Sequence, residues 1–356
     1  MTSSGLLTLC ASAILAFSSA TMMPDMSSHV FSHPSWPAFT SFASDFNKNY
    51  DSEEEVVRRF NNFIDNLERI SSHPVNSSYS VGINMYADMS NDEFRESVGG
   101  GCFVHPDHTD LYEMRTRCRA YRPSSTSDLP DSVDWRDQNA VTPVKDQGQC
   151  GSCWSFSATG SMEGAWAIAN SDLVSLSEQQ LVDCSTSYGD MGCNGGLMDD
   201  AFEYAIDNGM CSEEDDPYTA ENGSCDSTCK PVVSMSGCKN VSPANQMDLM
   251  AAVANGPVSV AIEADTATFK FYTSGIIDSA SCGTNLDHGV LVVGYGEDTG
   301  DLYWLVKNSW GTSWGDEGYV KIARTTSTSD PGICGIAMQP SFPVASSAAV
   351  AFPATA

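Results

Sequence analysis

The chain has 356 residues, of which 46 are Asp or Glu and 17 are Lys or Arg, a net charge of −29, with 41% hydrophobic residues. That apolar content excludes a disordered polar chain, and the lack of basic surface excludes a DNA phosphate reader, which needs Lys and Arg to displace counterions. The acidic excess suits an acidic lumen or the cell exterior, where partial protonation relieves self-repulsion.

The first twenty residues read as a secretory signal: an apolar run from Leu6 to Phe17, too short to span a bilayer, ends at Ser18-Ser19-Ala20, although no basic residue precedes it. No later run is long enough to cross a membrane, and residues 345–356 form a small, apolar tail. Of 13 cysteines, Cys10 lies in the signal, Cys102 and Cys118 fall in the early half, and ten lie between Cys150 and Cys334. An oxidising compartment and several disulfides are expected. Asn76, Asn222 and Asn240 each begin a glycosylation acceptor triplet.

Residues 21–128 carry nine basic and sixteen acidic side chains, and the rest of the chain eight and thirty, so attraction between the two units is expected. The polar, Pro-bounded stretch from Pro123 to Pro130 reads as a link that is easily cut. In the first unit Val56, Phe60, Phe63 or Ile64, Leu67 and Ile70 follow at helical spacing after Glu53-Glu54-Glu55, until Pro74. In the second, Trp154, Ala158, Met162, Ala165 and Ala169 predict a helix over 152–170 with one buried stripe. Ser177 to Gln180 reads as a capping box, and further helices are expected over 197–207 and 245–254. The period then changes to two over 258–262, 289–293, 303–307 and 318–322, which predicts strands and an α+β chain of two lobes.

Cys153 stands at the start of the predicted 152–170 helix, where unpaired N–H groups and the dipole favour a thiolate, the nucleophilic form. A cation must hold that charge in an acidic compartment, and His288 is the one histidine of six in the second unit. Asn308, beside Trp310 at the end of another strand, can orient the ring. The Cys150-to-Cys153 spacing alone also fits a redox dithiol or half a zinc site, but no partner pair follows at zinc spacing.

The segments Gln147 to Trp154, Asp287 to Gly296 and Lys307 to Gly311 resemble the papain family of cysteine peptidases, in its cathepsin L-like branch. The first unit resembles that branch's inhibitory propeptide, through Glu55, Arg59, Phe63, Asn66 and Ile70 and then Gly82, Asn84, Tyr86 and Asp88. The resemblance implies a helical lobe and an antiparallel β-barrel lobe with a cleft between them, over residues 129–344, after a mainly helical propeptide over 21–128. It implies Cys153 as nucleophile, His288 as its ion-pair partner, Asn308 as ring holder and Gln147 as oxyanion donor, with no metal or cofactor. Gly195 and Gly196 would line the substrate backbone, and Trp310 the leaving-group side. Leu197, Met198, Ala261, Leu286, Gly289 and Gln339 would form the pocket for the side chain two residues before the cut, apolar with a polar, uncharged floor.

The family pattern also implies pairing of Cys150 with Cys193, Cys184 with Cys225, and Cys282 with Cys334. Cys211 with Cys229 and Cys102 with Cys118 are further guesses, which leave Cys238 odd once Cys153 is kept free. The expected partners are protein and peptide substrates and the chain's own propeptide, for a monomer without nucleic acid. The expected function is a secreted or lysosomal or vacuolar endopeptidase made as a zymogen. The alternative is a catalytically silent binding or storage homologue, although such relatives commonly lose the Cys, His or Gln that are present here.

Overall fold

A computed structural model describes residues 30–98, 103 and 116–347. The signal, Cys10, Cys102 and the tail beyond 347 lie outside the described residues.

The first unit forms helices α1 (Trp36–Asp45), α2 (Glu53–Ser71) and α3 (Asn91–Ser97) and strand β1 (Tyr79–Val81). Helix α2 starts where Ser52 accepts the Glu55 N–H and three glutamates face the positive end of the dipole, and it ends three residues before Pro74. Its Phe60 and Phe63 interlock with Phe39 and Phe42 of α1 in a separate small core.

The second unit contains α4 (Cys153–Asn170), α5 (Glu178–Cys184), α6 (Met198–Asn208), α7 (Gln246–Val253) and α8 (Ala267–Lys270). Strand β2 (Arg119–Ala120) precedes β3 (Val133–Asp134), β4 (Met235–Asn240), β5 (Val258–Ile262), β6 (Tyr272–Ile277), β7 (His288–Asp298), β8 (Asp301–Lys307), β9 (Tyr319–Ala323) and β10 (Ser341–Ala345). They form one sheet in the order β1-β6-β9-β8-β7-β5-β10-β4-β2, with β3 on β7. All its pairs are antiparallel except β6 with β9 and β2 with β4. One apolar core fills the strand-rich lobe and another lies among α4, α5 and α6.

Three local expectations change. Helix α4 is buried on every side from Cys153 to Gly164, while Ala169 is exposed, so it has no single buried stripe. Its serines and glycines read as neutral in sequence yet lie against the sheet. Ser177 does cap Gln180, but the Gln180 side chain turns away to Tyr204 and Gly209, so the capping box is half formed. Among the described residues the disulfides are Cys118–Cys238, Cys150–Cys193, Cys184–Cys225, Cys211–Cys229 and Cys282–Cys334. Cys118 thus pairs with Cys238 and not with Cys102. The reason is β2, which runs beside β4 with Arg119 opposite Lys239 and so brings Cys118 against Cys238. Of the glycosylation triplets, Asn76 and Asn222 are exposed, whereas Asn240 is half-buried in a strand flanked on both sides.

The first unit therefore adds β1 to one end of the sheet and β2 to the other. At the β1 end Ile276 donates its N–H to Ser78 O at 2.9 Å, and Gly275 stands opposite Tyr79 with φ +85°. A Cβ there would press on the Ser78 carbonyl and lie 2.7 Å from Tyr79 Cα. Gly275→Ala is expected to cost the precursor about 1–2 kcal/mol in a denaturant titration from the left-handed backbone alone. Hydrogen exchange should show the Ile276 amide losing protection; an unchanged amide would mean that β1 does not need the glycine.

Candidate active site

Cys153 is the first residue of α4, fully buried, and no side chain caps the helix there, so the positive end of the dipole points at its sulfur. Across the cleft His288 is the first residue of β7. Its neighbour Gly289 donates its N–H to Cys153 Sγ at 3.2 Å, which sets the two strand residues against the helix start. Asn308, just after β8, accepts from His288 Nε2 at 2.8 Å and from the Ser309 N–H at 2.8 Å. Since Asn308 Oδ1 accepts both, Nε2 carries the ring proton and Nδ1 is the other nitrogen. Trp310 covers the ring, with centroids 4.7 Å apart.

Burial pushes His288 down to about 4, only partly opposed by the Asn308 bond, which favours the neutral ring.

Gln147 is buried beside Ser309, whose hydroxyl donates to its Oε1 at 2.7 Å. Its Nε2 donates to Cys150 O at 3.0 Å and to Val98 O of the first unit at 3.2 Å. The first unit thus places a carbonyl on the amide that the sequence singles out as an oxyanion donor. Further along, Phe103 forms a parallel bridge with Gly196 and donates its N–H to Asp287 O at 3.3 Å. Phe103 is buried in the same apolar cluster as Leu197, Met198, Ala261 and Leu286. Gly195 has φ +111°, and a Cβ on Gly196 would lie 2.6 Å from the Trp154 ring, so the wall beside Phe103 requires bare backbone. Gln339 keeps a buried Oε1 without a hydrogen-bond partner among the described residues. The structure therefore sets His288, Asn308 and Trp310 beside Cys153, and Leu197, Met198, Ala261 and Leu286 around Phe103.

The sequence reading missed Phe103 and a buried charge cluster behind the cleft. Lys145 Nζ lies 3.1 Å from Glu163 and 2.7 Å from Glu178, Thr142 donates to Glu163 at 2.6 Å, and Lys307 donates to Thr142 at 3.0 Å. Burial pushes Glu178 up to about 7 and Lys307 down to about 8, whereas Lys145 and Lys307 together hold Glu163 low despite its burial. The cluster encloses a cavity of about 20 Å³ that Asn308 and Ser309 also line, room for about one water. Glu163 was the available signal, as the single charged residue of α4.

Residues 129–344 match the family described as papain family cysteine protease, and residues 39–94 match the cathepsin propeptide inhibitor domain. The chain is 43% identical over 344 residues to the senescence-specific cysteine protease SAG39 of Oryza sativa subsp. indica, covering 96% of each. It is 46% identical over 306 residues to the probable cysteine protease RD21C of Arabidopsis thaliana, covering 84% of this chain and 66% of that one. Among solved structures it is similar to recombinant stem bromelain precursor, with 36% identity, a TM-score of 0.78, and 87% and 99% of the two chains covered. It is also similar to digestive procathepsin L 3 of Tenebrio molitor larval midgut, with 41% identity, a TM-score of 0.74, and the same coverage.

Once the cleft is clear, a thiolate beside His288 should raise the ring above its ordinary value of about 6.5, and the imidazolium should lower the thiol below about 8.5. Alkylation of Cys153 by iodoacetamide is then expected to stay fast below pH 7. A rate that rises only around pH 8.5 would exclude the ion pair.

Proposed function

The chain belongs to the papain family of cysteine proteases, and from that premise we propose a zymogen of a secreted, lysosomal or vacuolar endopeptidase that prefers a hydrophobic residue two positions before the cut. The observation that carries the chemistry is the Asn308–His288 bond under Trp310, on a strand whose next residue touches Cys153 Sγ.

With the propeptide gone, His288 Nδ1 takes the Cys153 proton, and the helix start stabilises the resulting thiolate. The thiolate attacks a peptide carbonyl. Gln147 Nε2 and the Cys153 N–H then hold the oxyanion, the donor now engaged by Val98 O being the one the reaction needs. His288 donates its proton to the leaving amine, and the thioester is hydrolysed by a water that His288 deprotonates. Asn308 keeps the ring in the required orientation throughout.

The propeptide supports both the inhibition and the pocket reading. Its chain passes Val98 at Gln147 and then Phe103 at the apolar pocket, so its direction is the reverse of a substrate, whose residue in that pocket precedes the cut. Phe103, buried with Leu197, Met198, Ala261 and Leu286, supports an apolar pocket, and Gln339 Oε1 offers an acceptor but no charge to neutralise Arg. The apolar N-terminal run and the five described disulfides support a route through the secretory pathway.

Acid weakens the hold of the first unit through its carboxylates. Arg95 meets Asp265 at 2.7 Å and Arg117 meets Asp207 at 2.6 Å across the two units. Hydrogen bonding from Arg117 holds Asp207 below the ordinary carboxylate range, so its contribution is present above about pH 4 and is lost as the pH falls through the lowered value.

Cys153→Ala is expected to abolish peptidase activity and labelling by a thiol-reactive epoxide; activity that survives it would refute the assignment of Cys153, and absence of label on the unmutated mature chain would leave the silent-homologue reading. Gln147→Ala should lower kcat by about 10²–10³, or about 2.7–4 kcal/mol. Phe-Arg and Leu-Arg reporter peptides should be cut well and Arg-Arg poorly, and equal rates on all three would refute the pocket. The precursor should mature faster at about pH 3.5 than at about pH 7, because the Asp207 contribution is lost only as the pH falls through its lowered value.

A further inference from the structure

We propose that the Cys118–Cys238 disulfide keeps the propeptide covalently attached after the connecting chain has been cut, so that its release requires a thiol reductant as well as peptide-bond cleavage. The bridge joins a residue of the first unit to β4 of the peptidase domain, across 120 positions of sequence. Between the two sulfurs lies the stretch from Arg122 to Asp128, largely exposed, and the peptidase match begins directly after it, at residue 129. A cut in that stretch leaves Cys118 on the propeptide side and Cys238 on the enzyme side. A staple serving only the mature fold would join two parts that stay; this one joins a part to be discarded to a part retained.

The surroundings hold the same segment in place. Arg117 makes a two-pronged contact with Asp207 at 2.6 and 3.0 Å, and its N–H donates to Glu203. Arg119 and Ala120 pair with Lys239 and Asn240, Tyr121 donates its N–H to Asn240 O at 2.7 Å, and the Tyr121 ring stands on Phe342. Cys118 is 8% and Cys238 3% exposed, which shields the bridge from small thiols until the strap loosens. Phe103, which occupies the cleft, is fifteen residues upstream of Cys118 in sequence. A tether of that length holds a detached segment at an effective concentration on the order of millimolar, high enough for it to return to the cleft.

The chemistry balances with a dithiol, or two molecules of a monothiol, as the reductant. Its thiolate attacks one sulfur of the bridge and expels the other as a thiolate, which takes up a proton. The second thiol resolves the mixed disulfide, and two electrons pass to the bridge while the reductant leaves as a disulfide. Acid suppresses the attacking thiolate, so cutting and release are separable by pH.

The test uses the full chain carrying Cys153→Ala, which removes the thiol at the cleft and with it the chain's own peptidase action. The stretch from Ser124 to Ser127 is replaced by the recognition site of an added protease. After cutting, non-reducing electrophoresis in detergent should give one species of precursor mass, and reduction should split it into two. With Cys118→Ser and Cys238→Ser added, two species should appear without reductant. Peptide mapping of the uncut, unreduced precursor should yield a cross-linked pair containing Cys118 and Cys238. Separation of the cut protein without reductant, or a map in which those two cysteines are not joined, overturns the proposal. The readout is mass and not activity, so either failure leaves the assignment of Cys153 untouched.

Discussion

The cleft rests on a backbone-to-backbone contact between the start of one helix and the start of one strand. A Cβ on Gly289 would lie 3.3 Å from Cys153 O, Trp154 Cα and Met198 Sδ, tighter than side chains ordinarily sit. The rest of α4 is pressed to the sheet by the same device. A Cβ on Gly160 would meet Leu291 at 2.7 Å and one on Gly164 would meet Pro257 at 2.5 Å. Hydroxyls fill the remaining gaps: Ser157 donates to Val290 O, Ser259 to Ser157 O, and Ser161 to Pro257 O. Larger residues at these positions would part the lobes and carry the imidazole away from the sulfur. The Lys145, Glu163, Glu178 and Lys307 cluster then ties helix to strand, at the desolvation cost that its opposed pKa shifts record.

The parts of this arrangement that could be read from sequence are those in which residue type fixes the chemistry. A cysteine at a helix start, one histidine in the second unit and an asparagine next to a tryptophan pointed to the cleft. The strands over 258–262 and 303–307 were visible from alternation, and β7 and β8 extend beyond those readings. Strands β1 and β2 were not visible, because three and two residues carry no period and exist only through their partners. The burial of α4 was hidden for a related reason: Ser and Gly score as indifferent on a hydropathy pattern, yet they are what a tightly packed helix needs. Cysteine connectivity is set by which strands meet, so the partner of Cys118 could not be inferred from spacing.

In the function proposed above, the propeptide inhibits by supplying what a substrate would supply, in the opposite chain direction. Val98 gives a carbonyl to Gln147, Phe103 gives a side chain to the pocket, and Tyr86 and Phe94 pack edge-on against Trp310 on the leaving-group side. Its own fold aims these groups. Asn66 of α2 donates to Ala87 O and Met89 O at 2.9 and 2.8 Å, and Asp88 is held by Lys48 and Tyr50. Asn84 then donates to Lys270 O at 2.6 Å, which joins that scaffold to the peptidase domain.

Lys270 itself gives this contact a proton balance. Its ammonium is buried under the propeptide, donating to Met89 O at 2.8 Å and lying over the Phe94 and Phe271 rings, and burial, aided by Arg69, pushes it down to about 7. A lysine restored to water titrates near 10.4. Departure of the propeptide therefore draws a proton from solvent onto Lys270 across the interval between those two values, and below about 7 the residue is charged in both states. Within that interval each step towards neutrality loosens the complex.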